Sequence, residues 1–386
     1  MKKILLMNKI AKIGTAVFER KGYEIGENVQ NPDGIMVRSA KLHGMQFPAS
    51  LKAIVRSGAG VNNIPVDECT KRGIVVFNTP GANANGVKEL AVCALILASR
   101  DVVGGISWAN SLQGEADVAK AVEAGKSAFV GSELMGETLG VIGLGAIGGM
   151  VANAATALGM TVVGCDPYIT PRAAWSLAPS VKQAATYEEI FKTCDYITLH
   201  VPATEQTKGM ICKKTLDMMK DGVKIINLAR ADLVNASDLK DAILAKKVAK
   251  YVTDFPTNET VGVEGVIAIP HLGASTIESE DHCAIMAGNQ LDEYLTNGNI
   301  VNSVNFPCVS LPHTSFARVC VMHKNVPNML SQITSAFSEA GVNIDNMANG
   351  SRGETAYTIV EVSEKPDEKI VKKVLAIDGV SKVNVY

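Results

Sequence analysis

Three polar residues stand at the ends of apolar runs in the second half of this sequence. Arg230 closes Ile225-Ile226-Asn227-Leu228-Ala229, and Glu259 lies just beyond Asp254-Phe255-Pro256-Thr257-Asn258. His271 follows Ile267-Ala268-Ile269-Pro270 and precedes Leu272-Gly273-Ala274-Ser275. An imidazole exchanges a proton near neutral pH, a neighbouring carboxylate can orient it, and a guanidinium binds a carboxylate through paired donors. Such a set suits interconversion of an alcohol and a carbonyl on a small acid, once a hydride carrier is supplied. Taken singly, each has an ordinary alternative: a surface ion pair for the arginine, a satisfied hydrogen-bonding residue for the histidine. Their joint occurrence at strand ends is the argument, because ligands of open α/β sheets bind outside the carboxyl ends of the strands.

The carrier's site is written in Leu139-Gly140-Val141-Ile142-Gly143-Leu144-Gly145-Ala146-Ile147-Gly148. A short apolar run reads as a buried strand and empties into Gly143-x-Gly145-x-x-Gly148; Met150 to Leu158 reads as the helix that follows. Gly143 permits the tight turn, Gly145 lets backbone approach a pyrophosphate, and Gly148 lets helix and strand pack closely. The helix N-terminus presents free N–H groups to the phosphates. The next strand, Met160 to Cys165, ends at Asp166, at the distance beyond Gly148 where the fingerprint carries its acid. An acid there accepts hydrogen bonds from ribose hydroxyls and favours NAD over NADP.

The elements that must position these groups follow from the alternation of short β-like runs with helical stretches. Candidate strands before residue 95 are Lys3-Met7, Gly34-Arg38, Leu51-Arg56 and Ile74-Phe77, with a helix end at Asp67-Gly73. A helix over Glu89–Val103, apolar nearly all round, is expected to be buried. Past the fingerprint, strands at Tyr196-Val201, Val223-Leu228, Lys250-Thr253 and Val266-Ile269 make a second parallel sheet. Thr276 to Leu295 reads as a helix. After about residue 315 the order becomes β-α-β-β-α-β, the ferredoxin-like split motif, joined through a hinge at residues 302–312. The stretch 110–137 carries no readable pattern. With 386 residues and a net charge of −2, the chain offers two or three domains and no basic surface for nucleic acid or anionic lipid. The first residues carry too short an apolar run for a signal peptide, and no run reaches the length of a membrane span. Eight single cysteines, with no metal-ligand spacing, read as reduced thiols of a cytoplasmic protein.

On these residues the sequence resembles the D-isomer-specific 2-hydroxyacid dehydrogenases, in particular members that act on 3-phospho-D-glycerate and end in an ACT domain. Asn227-Leu228-Ala229-Arg230, Asp254-Phe255-Pro256-Thr257-Asn258-Glu259 and Pro270-His271-Leu272-Gly273-Ala274-Ser275-Thr276 match the segments that carry the family's arginine, glutamate and histidine. Ala231 and Asn235 depart from a usual glycine and aspartate, and the stretch from Glu259 to His271 makes a shortened loop. The resemblance implies two doubly wound, Rossmann-like α/β domains with parallel sheets and a C-terminal ferredoxin-like ACT domain. Residues 1–95 and 280–310 would form the substrate-binding domain, 96–279 the NAD-binding domain and 316–386 the ACT domain. It implies NAD-dependent oxidation of 3-phospho-D-glycerate to 3-phosphohydroxypyruvate, opening L-serine synthesis. His271 would be the acid/base, Glu259 its hydrogen-bonded partner, and Arg230 the carboxylate contact. Gly143, Gly145, Ala146, Ile147, Gly148, Asp166, His200, Val201, Pro202, Ala229, Asp254, His271 and Gly273 would face the cofactor. Arg38, Arg56, Ser57, Gly58, Ala59 and Gly60, with Arg230 and His271, would face the substrate. Arg38 suits the phosphate, because a guanidinium offers paired donors to two oxygens. Arg56 with its glycine-bracketed amides suits an anion nest.

In the tail, the resemblance assigns His323, Asn325 and Asn343 to an L-serine effector held between ACT domains of a homo-oligomer. Asn328 stands where many members have glycine. Two alternatives remain at this point: another D-2-hydroxyacid dehydrogenase acting on an unphosphorylated acid, and a dinucleotide-sensing binding module of the same fold. No metal, nucleic acid or membrane partner is implied.

Overall fold

The computed structural model describes residues 1–386, which divide into two units: Met1–Asn83 with Glu280–Tyr386, and Ala84–Ser279. The first unit begins with β1 (Lys3–Met7), α1 (Lys12–Arg20), β2 (Glu24–Gly26), β3 (Gly34–Val37), β4 (Ala53–Arg56), α2 (Val66–Lys71) and β5 (Val75–Phe77). The strands form an all-parallel sheet in the order β2-β1-β3-β4-β5. Successive side chains point to opposite faces, and both faces are covered, so the strands read as unbroken apolar runs. Ile4, Met36, Val55 and Phe77 enter one core; Leu5, Ile35, Ile54 and Val76 enter the other.

The second unit opens with α3 (Ala84–Ser99), α4 (Val102–Ser111) and α5 (Val118–Gly125). It continues as β6 (Thr138–Ile142), α6 (Ala146–Ala157), β7 (Thr161–Cys165), α7 (Pro171–Trp175), β8 (Lys182–Gln183), α8 (Tyr187–Thr193), β9 (Tyr196–Leu199), α9 (Lys213–Leu216), β10 (Val223–Asn227), α10 (Ala236–Leu244), β11 (Val248–Thr253) and β12 (Val266–Ala268). Its seven strands are all parallel, in the order β12-β11-β10-β9-β6-β7-β8. The chain leaves β6 to one side through β7 and β8, then returns to β9 on the other. The crevice beyond β6 and β9 is therefore the topological switch point.

Two expectations change here. The helix predicted over Glu89–Val103 starts at Ala84 and stops at Ser99, and Asp101 then caps α4 by accepting from Gly104 N at 3.3 Å. Only one face of α3 is buried, through Val87, Ala91, Ala94, Leu95 and Ala98, in a core shared with Leu139, Val141 and Val151 of β6 and α6. This packing assigns α3 to the second unit and sets the boundary at Asn83/Ala84 instead of 95/96.

The chain returns to the first unit along α11 (Ile277–Asn297) and ends in β13 (Ala317–Lys324), α12 (Met329–Ser338), β14 (Ile344–Arg352), β15 (Thr355–Val362), α13 (Glu368–Leu375) and β16 (Val380–Val385). These four strands form an antiparallel sheet in the order β14-β15-β13-β16. Val319, Val321 and Val360 face Ile333, Phe337, Ile370 and Val374 of the two helices. Cys320, Met322, Tyr357 and Ile359 face the other way, into the core that holds Phe77, Leu291, Tyr294 and Phe306. Arg318 and Glu361 lie on that inner face, both fully buried and paired at 2.6 Å. The remaining Arg318 N–H groups reach Asn297 O, Asn299 Oδ1 and Leu311 O, so the buried guanidinium is fully satisfied. Burial raises the Glu361 carboxyl's pKa, but the Arg318 hydrogen bond and charge outweigh it and the net shift is downward.

The hinge predicted at 302–312 is overturned for the same reason. Ser303 bridges to Phe77, and the buried Asn305 accepts from Val76 N at 2.9 Å while donating to Ile74 O at 2.9 Å and Thr70 Oγ1 at 3.0 Å. The segment is an edge of the first sheet, and the C-terminal domain shares that unit's core.

Candidate functional site

At the end of β6, Gly143 turns with φ +90, and a Cβ there would meet His200 O at 2.6 Å. At Gly148 a Cβ would come within 1.8 Å of Gly143 O, so the helix can start this close to the strand only without a side chain. A Cβ at Gly145, the N-cap of α6, would meet nothing within 4 Å. That glycine leaves open space above the helix N-terminus, as close approach of a phosphate requires. Asp166 follows β7 directly, and its carboxylate accepts from Leu144 N and Tyr168 N, each at 2.9 Å. The acid is thus aimed by the glycine turn itself. His200, just past β9, accepts from or donates to Thr198 Oγ1 at 2.9 Å; burial pushes its pKa down to about 4, which keeps it neutral at pH 7. These features fit a dinucleotide: a cradle for phosphates, an acid for the ribose and an uncharged lining beside the turn.

Arg230, Asp254 and His271 follow the adjacent strands β10, β11 and β12. Phe255 draws them together. Its ring centroid lies 4.5 Å from that of His271 and 5.8 Å from the Arg230 guanidinium carbon. Asp254 is 2% exposed; Oδ2 accepts from Gly273 N at 3.4 Å, and Oδ1 is buried with no partner. Burial raises the Asp254 pKa, against the opposing pull of His271, the Gly273 amide and Arg230. An unpartnered buried acceptor beside the imidazole is a docking point for a donor such as a carboxamide N–H.

The hydrogen bond expected between Glu259 and His271 is absent. Glu259 is exposed in the turn Thr257–Thr260, where the Thr257 hydroxyl and its own amide hold its carboxyl below the usual range. The Thr257–Thr260 turn, closed by the Thr257 N–H donating to Thr260 Oγ1 at 2.9 Å, leaves the Glu259 carboxylate exposed. Asp254 is the carboxylate whose charge reaches His271.

Sequence reasoning missed Asn227. This fully buried side chain accepts from Ala229 N (3.2 Å) and Arg230 N (3.3 Å), and donates to Arg230 O (2.8 Å) and Tyr251 OH (3.2 Å). It shapes the turn that presents Arg230, whose Nη1 donates to Ala229 O at 2.6 Å. An asparagine interrupting an apolar run just before Arg230 was the available signal, since Asn side chains bond their own following backbone. The departures at Ala231 and Asn235 are accommodated: Ala231 starts a short 3₁₀ turn, and Asn235 caps α10 by accepting from Asp238 N at 3.1 Å.

In the first unit, Arg56 Nε donates to Arg38 O at 2.9 Å and Nη1 to Gly60 O. Ser57 N and Gly58 N are engaged with Val37 O and Arg56 O, so the nest is narrower than expected, leaving the amides of Ala59 and Gly60. Ser57 Oγ is buried without a partner. Arg38 is ion-paired with Glu280, not free.

His323 and Asn325 lie at one end of the C-terminal sheet, beside a cavity of about 770 Å³ also lined by Lys71, Lys324 and Ser381. His323 is engaged at both ring nitrogens, by Lys324 O and Thr358 Oγ1 at 2.8 Å, and burial lowers its pKa. Asn343 precedes β14 at the opposite end: β14 begins opposite Val362, which pairs with Ala317 at the far end of β13. One copy of the chain therefore does not bring the three together. Asn328, in the glycine position, takes φ +69, a left-handed conformation that asparagine tolerates.

Residues 105–273 match the model of the D-isomer specific 2-hydroxyacid dehydrogenase NAD binding domain, and 320–382 match that of the AHAS small subunit-like ACT domain. D-3-phosphoglycerate dehydrogenase 1 of Saccharomyces cerevisiae is 30% identical across 94% of this chain and 82% of its own length. D-3-phosphoglycerate dehydrogenase of Bacillus subtilis is 32% identical across 80% of this chain and 57% of its own. Among solved structures, the NAD+-bound 3-phosphoglycerate dehydrogenase of Entamoeba histolytica is similar with a TM-score of 0.61 at 28% identity, covering 79% of this chain and 98% of that one.

Proposed function

Because this chain belongs to the D-isomer-specific 2-hydroxyacid dehydrogenases, an NAD-dependent family, we propose that it oxidises 3-phospho-D-glycerate to 3-phosphohydroxypyruvate. The observation that carries the reading is the convergence of Arg230, Asp254 and His271 on Phe255 at three adjacent strand ends of a nucleotide-binding sheet. NAD, when bound, supplies the acceptor for the hydride leaving the carbinol carbon. His271 takes the hydroxyl proton as that C–H bond breaks, and returns it to the carbonyl oxygen in the reverse direction. Arg230 pairs with the substrate carboxylate and draws electron density from the forming carbonyl. The Asp254 carboxylate, whose charge couples to that of His271, favours the imidazolium that proton transfer creates. Arg38 and the amides of Ala59 and Gly60 serve the phosphate and carboxylate oxygens. NADH formation with 3-phospho-D-glycerate, D-glycerate and D-lactate tests the reading. Turnover of the phosphorylated acid at 10-fold or greater kcat/KM is expected, and comparable rates with D-lactate would overturn it.

The ACT domain extends the proposal to control. His323 and Asn325 of one copy and Asn343 of another would hold L-serine across paired domains, making the chain at least a dimer in the cytoplasm. Serine inhibition of the wild type that is lost in Asn343→Ala supports this. No calorimetric binding at millimolar serine would reduce the tail to an assembly element.

A further inference from the structure

Arg38 carries its own counter-ion. Its Nη2 donates to Oε1 of Glu280, near the start of α11, in an ion pair whose side chains are 46% and 41% exposed. Arg56 is tied to the same strand end through the Arg38 carbonyl. One turn along α11 from Glu280, the Cys283 thiol is buried near Arg38, Arg56 and Glu280, all three of whose charges reach it. Two guanidinium groups and one carboxylate therefore share one corner of the first unit.

We infer that Glu280 is a specificity-determining residue, a resident anion that holds the Arg38 fork until a substrate phosphate displaces it. The inference rests on the proposed role of Arg38 in phosphate binding. Exposed ion pairs are weak, so the fork is released at small cost. A phosphate monoester brings nearly two charges and three acceptor oxygens against the single charge of a carboxylate, and so wins the exchange. An unphosphorylated acid has no group to contest it. The pair thus keeps Arg38 oriented and raises the KM of the phosphorylated substrate slightly through competition and like-charge repulsion, while the KM of an unphosphorylated acid is untouched.

Glu280→Gln separates these effects. The amide oxygen still accepts from Nη2, but the competing charge is gone. Steady-state KM values for 3-phospho-D-glycerate and D-glycerate in the wild type, Glu280→Gln, Arg38→Ala and the double variant give the test. The ratio of KM for D-glycerate to KM for 3-phospho-D-glycerate should rise roughly two- to five-fold in Glu280→Gln. That rise should vanish in the Arg38→Ala background, because the two residues act through one contact. An unchanged or lowered ratio, or a rise that persists without Arg38, would overturn the inference while leaving the substrate assignment intact. A wild type without preference for the phosphorylated acid would remove the assignment itself, and the inference with it.

Discussion

Replacing Asn227 with alanine should damage catalysis without touching a group that meets the substrate. The native amide makes four hydrogen bonds in a site with no solvent exposure, two at 2.8 and 3.2 Å from Nδ2 and two at 3.2 and 3.3 Å to Oδ1. Alanine leaves the Arg230 carbonyl, the Ala229 and Arg230 amides and the Tyr251 hydroxyl without that partner. At about 1 kcal/mol for the short bond and roughly half that or a little more for each of the three longer ones, the loss of stability is about 2–3 kcal/mol. The larger effect falls on geometry. The guanidinium is steadied by Ala229 O and the Phe255 ring, and both contacts depend on the path of the turn. A displacement on the order of 1 Å at a substrate-positioning group costs on the order of 10²-fold in rate. Thermal unfolding, NAD affinity by fluorescence titration and kcat/KM for 3-phospho-D-glycerate should be measured on one preparation. The expected pattern is a lowered but cooperative melt, near-native NAD affinity and a 10- to 100-fold fall in kcat/KM. A folded variant within threefold of wild-type kcat/KM would refute the claim that Asn227 positions Arg230.

His271→Asn should lower turnover by about two to four decades while NAD still binds, and a loss of only a few-fold would exclude the acid/base role. Asp166→Ala should erode the preference for NAD over NADP, because the carboxylate that repels a 2′-phosphate is gone; equal discrimination before and after would count against its ribose contact. Lys382 offers a pH test. Its ammonium donates to Leu51 O at 2.7 Å, and burial, aided by Lys52 and Arg72, pushes its pKa down from 10.5 to about 8. Between those two values the unfolded chain holds a proton that the folded chain has released, so the contribution of Lys382 to stability rises with pH. The Tm of wild type minus that of Lys382→Met should become more positive from pH 7.5 to pH 10, and a constant difference would contradict the assignment.

Local pattern made the nucleotide turn readable because every part of it lies within one strand–turn–helix unit from Thr138 to Ala157. The parallel sheets were readable from fully buried strands such as Gly34–Val37 and Tyr196–Leu199, and the split β-α-β-β-α-β order from the β-branched runs within Ala317–Lys324 and Thr355–Val362. Short edge strands such as Glu24–Gly26 and Lys182–Gln183 were not, since neither carries an apolar period. The hinge reading failed because Asn and Ser residues look like linker chemistry until a partner is supplied; Asn305 finds Val76, Ile74 and Thr70 in a distant part of the sequence. Arg318 meets Glu361 well beyond the reach of any local rule. At the site, Arg230 and His271 were visible as polar groups at strand ends. Phe255 passed as an ordinary apolar residue, although it is what touches both. The hydrogen bond expected from Glu259 to His271 is absent because a motif fixes residue types in order but not where a turn such as Thr257–Thr260 points its side chains. Arg38 stood out in the sequence as a guanidinium at a strand end, while Glu280, far along the chain, was invisible as its ion-pair partner.

The most direct test of the central claim follows the transferred atom. 3-Phospho-D-glycerate deuterated at C2 is incubated with the enzyme and NAD, and the NADH formed is analysed by mass spectrometry. Direct hydride transfer from the D-substrate predicts one deuterium per NADH and one unlabelled phosphohydroxypyruvate formed for each. NADH without deuterium, or equal labelling from the L-isomer, would contradict the account.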